Sequence, residues 1–167
     1  IQQSEFENDR GLAYVIRSNE YYGITNREFL NKVDEIATRL ETDTKISWVS
    51  SYTDYLKLRN KAANDDDEAF EVLPEDQLTV IDYLVGYQLV AEIDPNLGQM
   101  FNKDYSAIYL YAATSGLSDE EVLVLADEIS HLSDEYASEN FQVTHANNTI
   151  LSARLNQIIS TELFTGF

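Results

Sequence analysis

Twice along this chain the same order of signals appears: an apolar run that alternates like a strand, a helix-start signal, a helical stripe, a second short strand and a further helical stripe. The first copy opens with Leu12 to Arg17 as a strand. Thr25-Asn26-Arg27-Glu28 then reads as a capping box, in which side chains three residues apart satisfy each other's free backbone N–H groups. Phe29, Leu30, Val33, Ile36, Ala37 and Leu40 follow on one face at helical spacing, which predicts a helix from about Asn26 to Leu40. Ile46 to Ser50 returns as a strand, and Ser51 with Asp54 starts another helix that carries Tyr52, Tyr55, Leu56 and Arg59 toward Lys61.

The second copy begins at Tyr105 to Ala112, a strand, and continues with the capping box Ser118-Asp119-Glu120-Glu121. Val122, Leu125, Ala126, Ile129 and Leu132 form its stripe, Phe141 to Thr144 its next strand, and from Asn147 the residues Ile150, Leu151, Leu155, Ile158, Ile159 and Leu163 again show helical spacing. Between the copies lies a mostly helical insertion from about Ala62 to Phe101. Its start, Asn64-Asp65-Asp66-Asp67-Glu68, is too charged to pack and reads as an exposed loop. Pro74 precedes a helix in which Leu78, Ile81, Leu84, Val85, Gln88 and Leu89 recur on one side, and Asp94-Pro95-Asn96 ends it with turn chemistry.

The repeat is one of pattern and not of residues. Each strand pair needs a crossover, and each stripe needs a sheet to cover. The simplest solution is an α+β domain over residues 1–167, a ferredoxin-like split βαβ pseudo-repeat sharing one sheet, with the helical insertion outside it at about 62–101.

At 167 residues the chain suffices for one domain that buries roughly two-thirds of its unfolded surface. It has no cysteine, which removes disulfides and thiolate metal sites. A net charge of −19, from thirty acidic and eleven basic side chains, repels a phosphate backbone, so nucleic acid is not an expected partner. Eleven tyrosines, seven phenylalanines and one tryptophan argue for a packed core with amphipathic rings at its margin. No apolar run has the length of a membrane span, and Ile1-Gln2-Gln3-Ser4-Glu5-Phe6 has neither the basic end nor the apolar stretch of a signal peptide, so the piece is expected to be soluble. The missing initiator Met is expected of a sequence that starts inside a longer product or after processing.

Chemistry is sparse. The glycines at 11, 23, 86, 98, 116 and 166 form neither a phosphate loop nor a nucleophile elbow. With His131 and His145 alone, a catalytic zinc would need a carboxylate that nothing singles out. Glu128-x-x-His131 has the spacing of a carboxylate-bridged di-iron ligand pair, but such sites need two copies, and a solvated helix face is the preferred reading. Asp65 to Glu68 lacks the alternating ligands and turn glycine of a calcium loop. Asn147-Asn148-Thr149 matches a glycosylation acceptor, which has meaning only in a eukaryotic secretory setting. No metal, no cofactor and no enzymatic activity is therefore expected. The only substrate-binding candidates are Trp48, Tyr52 and Tyr55, aromatic residues near the end of the second strand that would line a groove for an amphipathic ligand, with core packing as the default.

Three stretches carry a resemblance: Trp48-Val49-Ser50-Ser51-Tyr52-Thr53-Asp54-Tyr55-Leu56-Lys57; Leu73-Pro74-Glu75 followed by Ile81-Asp82-Tyr83-Leu84; and Asp104-Tyr105-Ser106 leading into Val143-Thr144 with Leu151 and Leu155. Together they resemble a periplasmic or extracellular loop of the resistance-nodulation-division superfamily, in its branch of predicted exporters related to mycobacterial large membrane proteins and hopanoid transporters. The resemblance covers most of Thr44 to Phe167; before that, only the order of elements fits. His145 stands where the family pattern usually has Gly. What it implies is a porter domain of the βαβ-repeat type in a proton-driven exporter. Its partners would be the membrane helices of its own parent chain and hydrophobic or lipid-like substrates, with homo-oligomers possible, and the proton-coupling carboxylates would lie outside this chain. The "y-l-K" and "lP" patterns point to the second large loop of the parent. The rival expectations are a cell-surface protein–protein interaction module and, behind it, a hydrolase built from scattered carboxylates.

Overall fold

A computed structural model describes residues 9–94 and 100–145. The last predicted helical stripe, from Asn147 to Leu163, the Asn147-Asn148-Thr149 triplet and the Pro95-Asn96 turn lie outside the described residues.

Strand β1 (Asp9–Arg17) is followed by a 3-10 turn (Gly23–Thr25) and helix α1 (Arg27–Glu41). Strand β2 (Ile46–Ser50) leads into α2 (Tyr52–Ala63), a second 3-10 turn (Glu68–Phe70) and α3 (Gln77–Ile93). Strand β3 (Ala107–Ser115), α4 (Asp119–Tyr136) and β4 (Gln142–His145) complete the described chain. The protein is thus mixed α+β, with one four-stranded sheet in the order β2-β3-β1-β4.

All neighbouring strands are antiparallel, with β1 and β3 paired along their full length from Asp9 opposite Ser115 to Arg17 opposite Ala107. It follows that β2 runs parallel to β1 with β3 between them, and β4 parallel to β3 with β1 between them. Helices α1 and α4 are therefore the crossovers, each spanning one intervening strand. Alternate residues of the central strands, Leu12, Tyr14 and Ile16 of β1 with Ile108, Leu110 and Ala112 of β3, face these helices and share one buried core with Phe29, Leu30, Val33, Ile36, Val122, Leu125 and Ile129.

Helix α2 begins as expected, with the Ser51 hydroxyl accepting from Thr53 N and the Asp54 carboxylate accepting from Ser51 N; Ser118 and Glu121 do the same for α4. The first helix departs from the expected capping box. Its cap is Asn26, whose side chain accepts from Phe29 N, while the Thr25 hydroxyl donates to Tyr22 O and accepts from Gln77. Thr25 is buried under α3 and so is unavailable as a cap. Tyr105, predicted to open the third strand, instead has φ 54, the left-handed region, and β3 starts two residues later and runs on to Ser115. Phe141, expected to open the last strand, forms only an isolated bridge with Ser138, and β4 starts at Gln142.

The insertion shows the largest difference. Leu78, Ile81, Val85 and Leu89, four of the six residues taken as the packing side of α3, face outward, and the buried side is Val80, Tyr83, Leu84 and Tyr87. The periodicity was ambiguous because α3 is apolar nearly all round; its only charges are Asp82 and Glu92. No helix among the described residues is long and apolar enough to cross a membrane.

Candidate functional site

The three aromatic candidates from the sequence do not form one group. Ile46 pairs with Thr114 but Trp48 pairs with Ala113, so β2 carries a bulge at Ser47. The extra residue turns both Ile46 and Val49 to the core and sends Trp48 to the opposite sheet face. There its ring lies 5.2 Å from that of Tyr111, itself laid across Gly11 so closely that any side chain at Gly11 would collide with it. Tyr52 is fully buried and Tyr55 half-buried on the helical side, their rings stacked 6.0 Å apart.

From Tyr52 and Tyr55 a chain of rings runs outward. Tyr55 meets Tyr87 of α3 at 5.1 Å, Tyr52 meets Phe101 at 5.4 Å, and Tyr87 and Phe101 meet each other at 5.3 Å. Phe101 continues to Tyr105 at 5.5 Å, and Tyr105 stacks on Tyr22 at 4.9 Å. Tyr22 and Tyr105 both hold left-handed backbone, with φ 60 and 54, a conformation that costs a residue with a side chain roughly 1–3 kcal/mol. They are fixed there by backbone bonds: Tyr22 N donates to Asp104 O, and Ile24 N to Tyr105 O.

Beside this chain of rings is a cleft of about 510 Å³, lined on one side by Val85, Tyr87, Gln88 and Leu89 of α3 and on the other by Met100, Phe101 and Tyr105. The volume lies within the range of small-molecule sites. Its lining is mostly apolar, and the Gln88 side chain donates to the Tyr105 hydroxyl across it. Loss of hydration pushes the phenols of Tyr55, behind the cleft, and Tyr87, in its lining, above the ordinary tyrosine value. Among the described residues the charged members of the lining are Glu92 and Lys103.

Other sequence candidates are placed apart. Glu128 pairs with Lys45 at 3.1 Å, beside an exposed His131, and among the described residues no three His, Cys, Asp or Glu side chains converge as metal ligands. Asp65 to Glu68 is exposed, with Asp65 and Asp66 in left-handed turns. The pKa of Asp54 lies above its ordinary value, raised by burial and partly restored by the Ser51 N–H it accepts; its role is the α2 cap. Tyr87, Phe101 and Tyr105 were missed as a set because they come from two segments that only the tertiary fold brings together. The legible signal was a helix with too few polar residues for a surface position.

Compared with protein-family models, with curated proteins and with solved structures, the chain has no match.

Proposed function

We propose that this chain is a soluble extracytoplasmic domain, porter-like in type, of a proton-driven membrane exporter of the resistance-nodulation-division superfamily, and that its cleft takes part in admitting and passing hydrophobic or lipid-like molecules. The observation that carries this reading is the cleft itself: an apolar, aromatic-walled space of about 510 Å³ flanked by the outward apolar side of α3. The strand order β2-β3-β1-β4, with a crossover helix joining each parallel pair, supports the finer reading of the fold as a ferredoxin-like split βαβ pair. In this reading the membrane helices of the parent chain carry the proton-linked carboxylates, and the domain binds or gates without pumping on its own.

Two measurements test it. Titration of the domain with dodecyl maltoside, below the concentration at which it forms micelles, is expected to shift the methyl resonances of Val85, Leu89 and Met100 saturably while those of Leu125 and Ile129 stay fixed. Absence of a saturable shift at the cleft removes the binding role. The full-length parent, reconstituted in vesicles with an imposed proton gradient, is expected to move an amphipathic dye; failure to move any such molecule removes the exporter.

A second reading, a cell-surface protein–protein interaction module, is favoured by one specific observation: Leu78, Ile81, Val85, Leu89 and Ile93 form an exposed apolar stripe along α3.

A further inference from the structure

We infer that the cleft beside α3 prefers cationic amphiphiles over anionic ones; this inference rests on the proposed binding of hydrophobic molecules at the same cleft. Three independent features set the sign. Phe101 and Tyr105, both partly exposed, line the cleft with aromatic rings, and the negative face of a ring attracts an ammonium or quaternary nitrogen. Helix α3 ends there, with Leu89 and Glu92 in the lining, and it has no basic residue in its last turn to offset the negative end of the helix dipole or the Glu92 carboxylate. The whole chain carries −19, so its long-range field concentrates cations and repels anions at every cleft open to solvent.

Lys103 is the opposing charge in the lining. It is exposed, its long stem lets the ammonium extend into water, and Asp104 follows it directly. A cationic head is thus held at the mouth between Glu92, the helix end and the rings, with the alkyl tail along Val85, Leu89 and Met100.

The test compares three probes with the same alkyl tail, dodecyltrimethylammonium, dodecyl maltoside and dodecanoate, each below its micelle concentration and read by the same cleft methyl resonances. The cation is expected to bind at least about five-fold more tightly than the anion at low salt, a ratio of the size one cation–ring contact supplies. That ratio is expected to shrink in half-molar sodium chloride, where screening is short-ranged, and Glu92→Gln is expected to reduce the cation's advantage over dodecyl maltoside. Equal or tighter binding of dodecanoate overturns the inference, as does a ratio that Glu92→Gln leaves untouched. If dodecyl maltoside binds and the charge preference is absent, the inference alone fails; if none of the three probes binds, the cleft's proposed role falls with it.

Discussion

Helices α1 and α3 have fifteen and seventeen residues but place their apolar side chains differently. In α1 every large apolar side chain, Phe29, Leu30, Val33, Ile36 and Leu40, is buried, and its outer face is Asn31, Glu35, Thr38 and Arg39. In α3 the buried side, Val80, Tyr83, Leu84 and Tyr87, accounts for only part of its apolar content; Leu89 is 59% exposed and Ile93 85%. A surface helix held by packing alone needs one apolar stripe. The first helix has that and nothing more. The surplus on α3 runs along the cleft and past it.

If the contrast is sound, α1 carries the larger stability effects. Leu30→Ala removes a side chain 1% exposed in the centre of the core, and its expected cost is about 2–5 kcal/mol, the range for emptying a packed leucine site. The urea midpoint measures it, and a loss under about 1 kcal/mol would mean that α1 is not the principal cover of the sheet.

How much of this was legible beforehand differs between the same two regions. The α1 face was readable residue by residue because its polar and apolar positions alternate with helical period and the neighbouring strand supplies one partner surface. The order of elements along the chain was readable too, with the caps at Ser51 and Ser118 marking two helix starts by local chemistry alone. The side on which α3 packs was not readable. With eleven of its positions apolar or aromatic, the direction is decided by tertiary partners: the Tyr55 hydroxyl donating to Tyr83 O, the Gln77 amide donating to Thr25, and the rings of Phe101 and Tyr105. Likewise nothing in Ile46 to Ser50 announces the bulge that separates Trp48 from Tyr52.

Asn60 sharpens the comparison because it fastens the insertion to α2. Its amide donates to Phe70 O at 2.9 Å and Val72 O at 3.1 Å, and its oxygen accepts from the Tyr83 hydroxyl at 3.1 Å. Asn60→Ala strands these groups, at an expected cost of about 2 kcal/mol. Hydrogen exchange should speed up in α3 and leave α1 nearly unchanged. Equal acceleration in both helices would show that the two regions open as one unit.

The hydroxyls of Tyr14 and Tyr52 are buried, and among the described residues neither has a hydrogen-bond partner. Burial pushes both phenols well above the ordinary tyrosine value. With the folded pKa above the unfolded value of about 10, the native state keeps its protons where the unfolded chain releases them. Stability is therefore unaffected below about pH 10 and falls as pH rises beyond it, by about 1.4 kcal/mol per pH unit for each such tyrosine until its folded pKa is reached. Urea midpoints between pH 9 and 11 should show the fall. Tyr52→Phe should leave stability at pH 7 unchanged or raised by up to about 1 kcal/mol, since an unpaired hydroxyl is removed, and should make the alkaline slope shallower. An unchanged slope in the variant would place the Tyr52 hydroxyl in contact with water.

The smallest stability effects belong to the outward side of α3, and there the readout moves from folding to binding. Leu89→Ser and Leu78→Ser both alter exposed positions and are expected to change stability by no more than about 0.5 kcal/mol. Leu89 lines the cleft, so its loss should weaken dodecyl maltoside binding several-fold, because each methylene removed from an apolar contact is worth about 0.8 kcal/mol. Leu78 lies near the opposite end of the helix, outside the cleft lining, and its substitution should leave that affinity as it was. The pair thus separates two uses of one apolar helix. A loss confined to Leu89→Ser assigns the surplus on α3 to a small amphipathic ligand. If neither variant affects amphiphile binding and both weaken capture of the same macromolecular partner, the whole stripe is an interaction surface, and the second reading of the protein replaces the first.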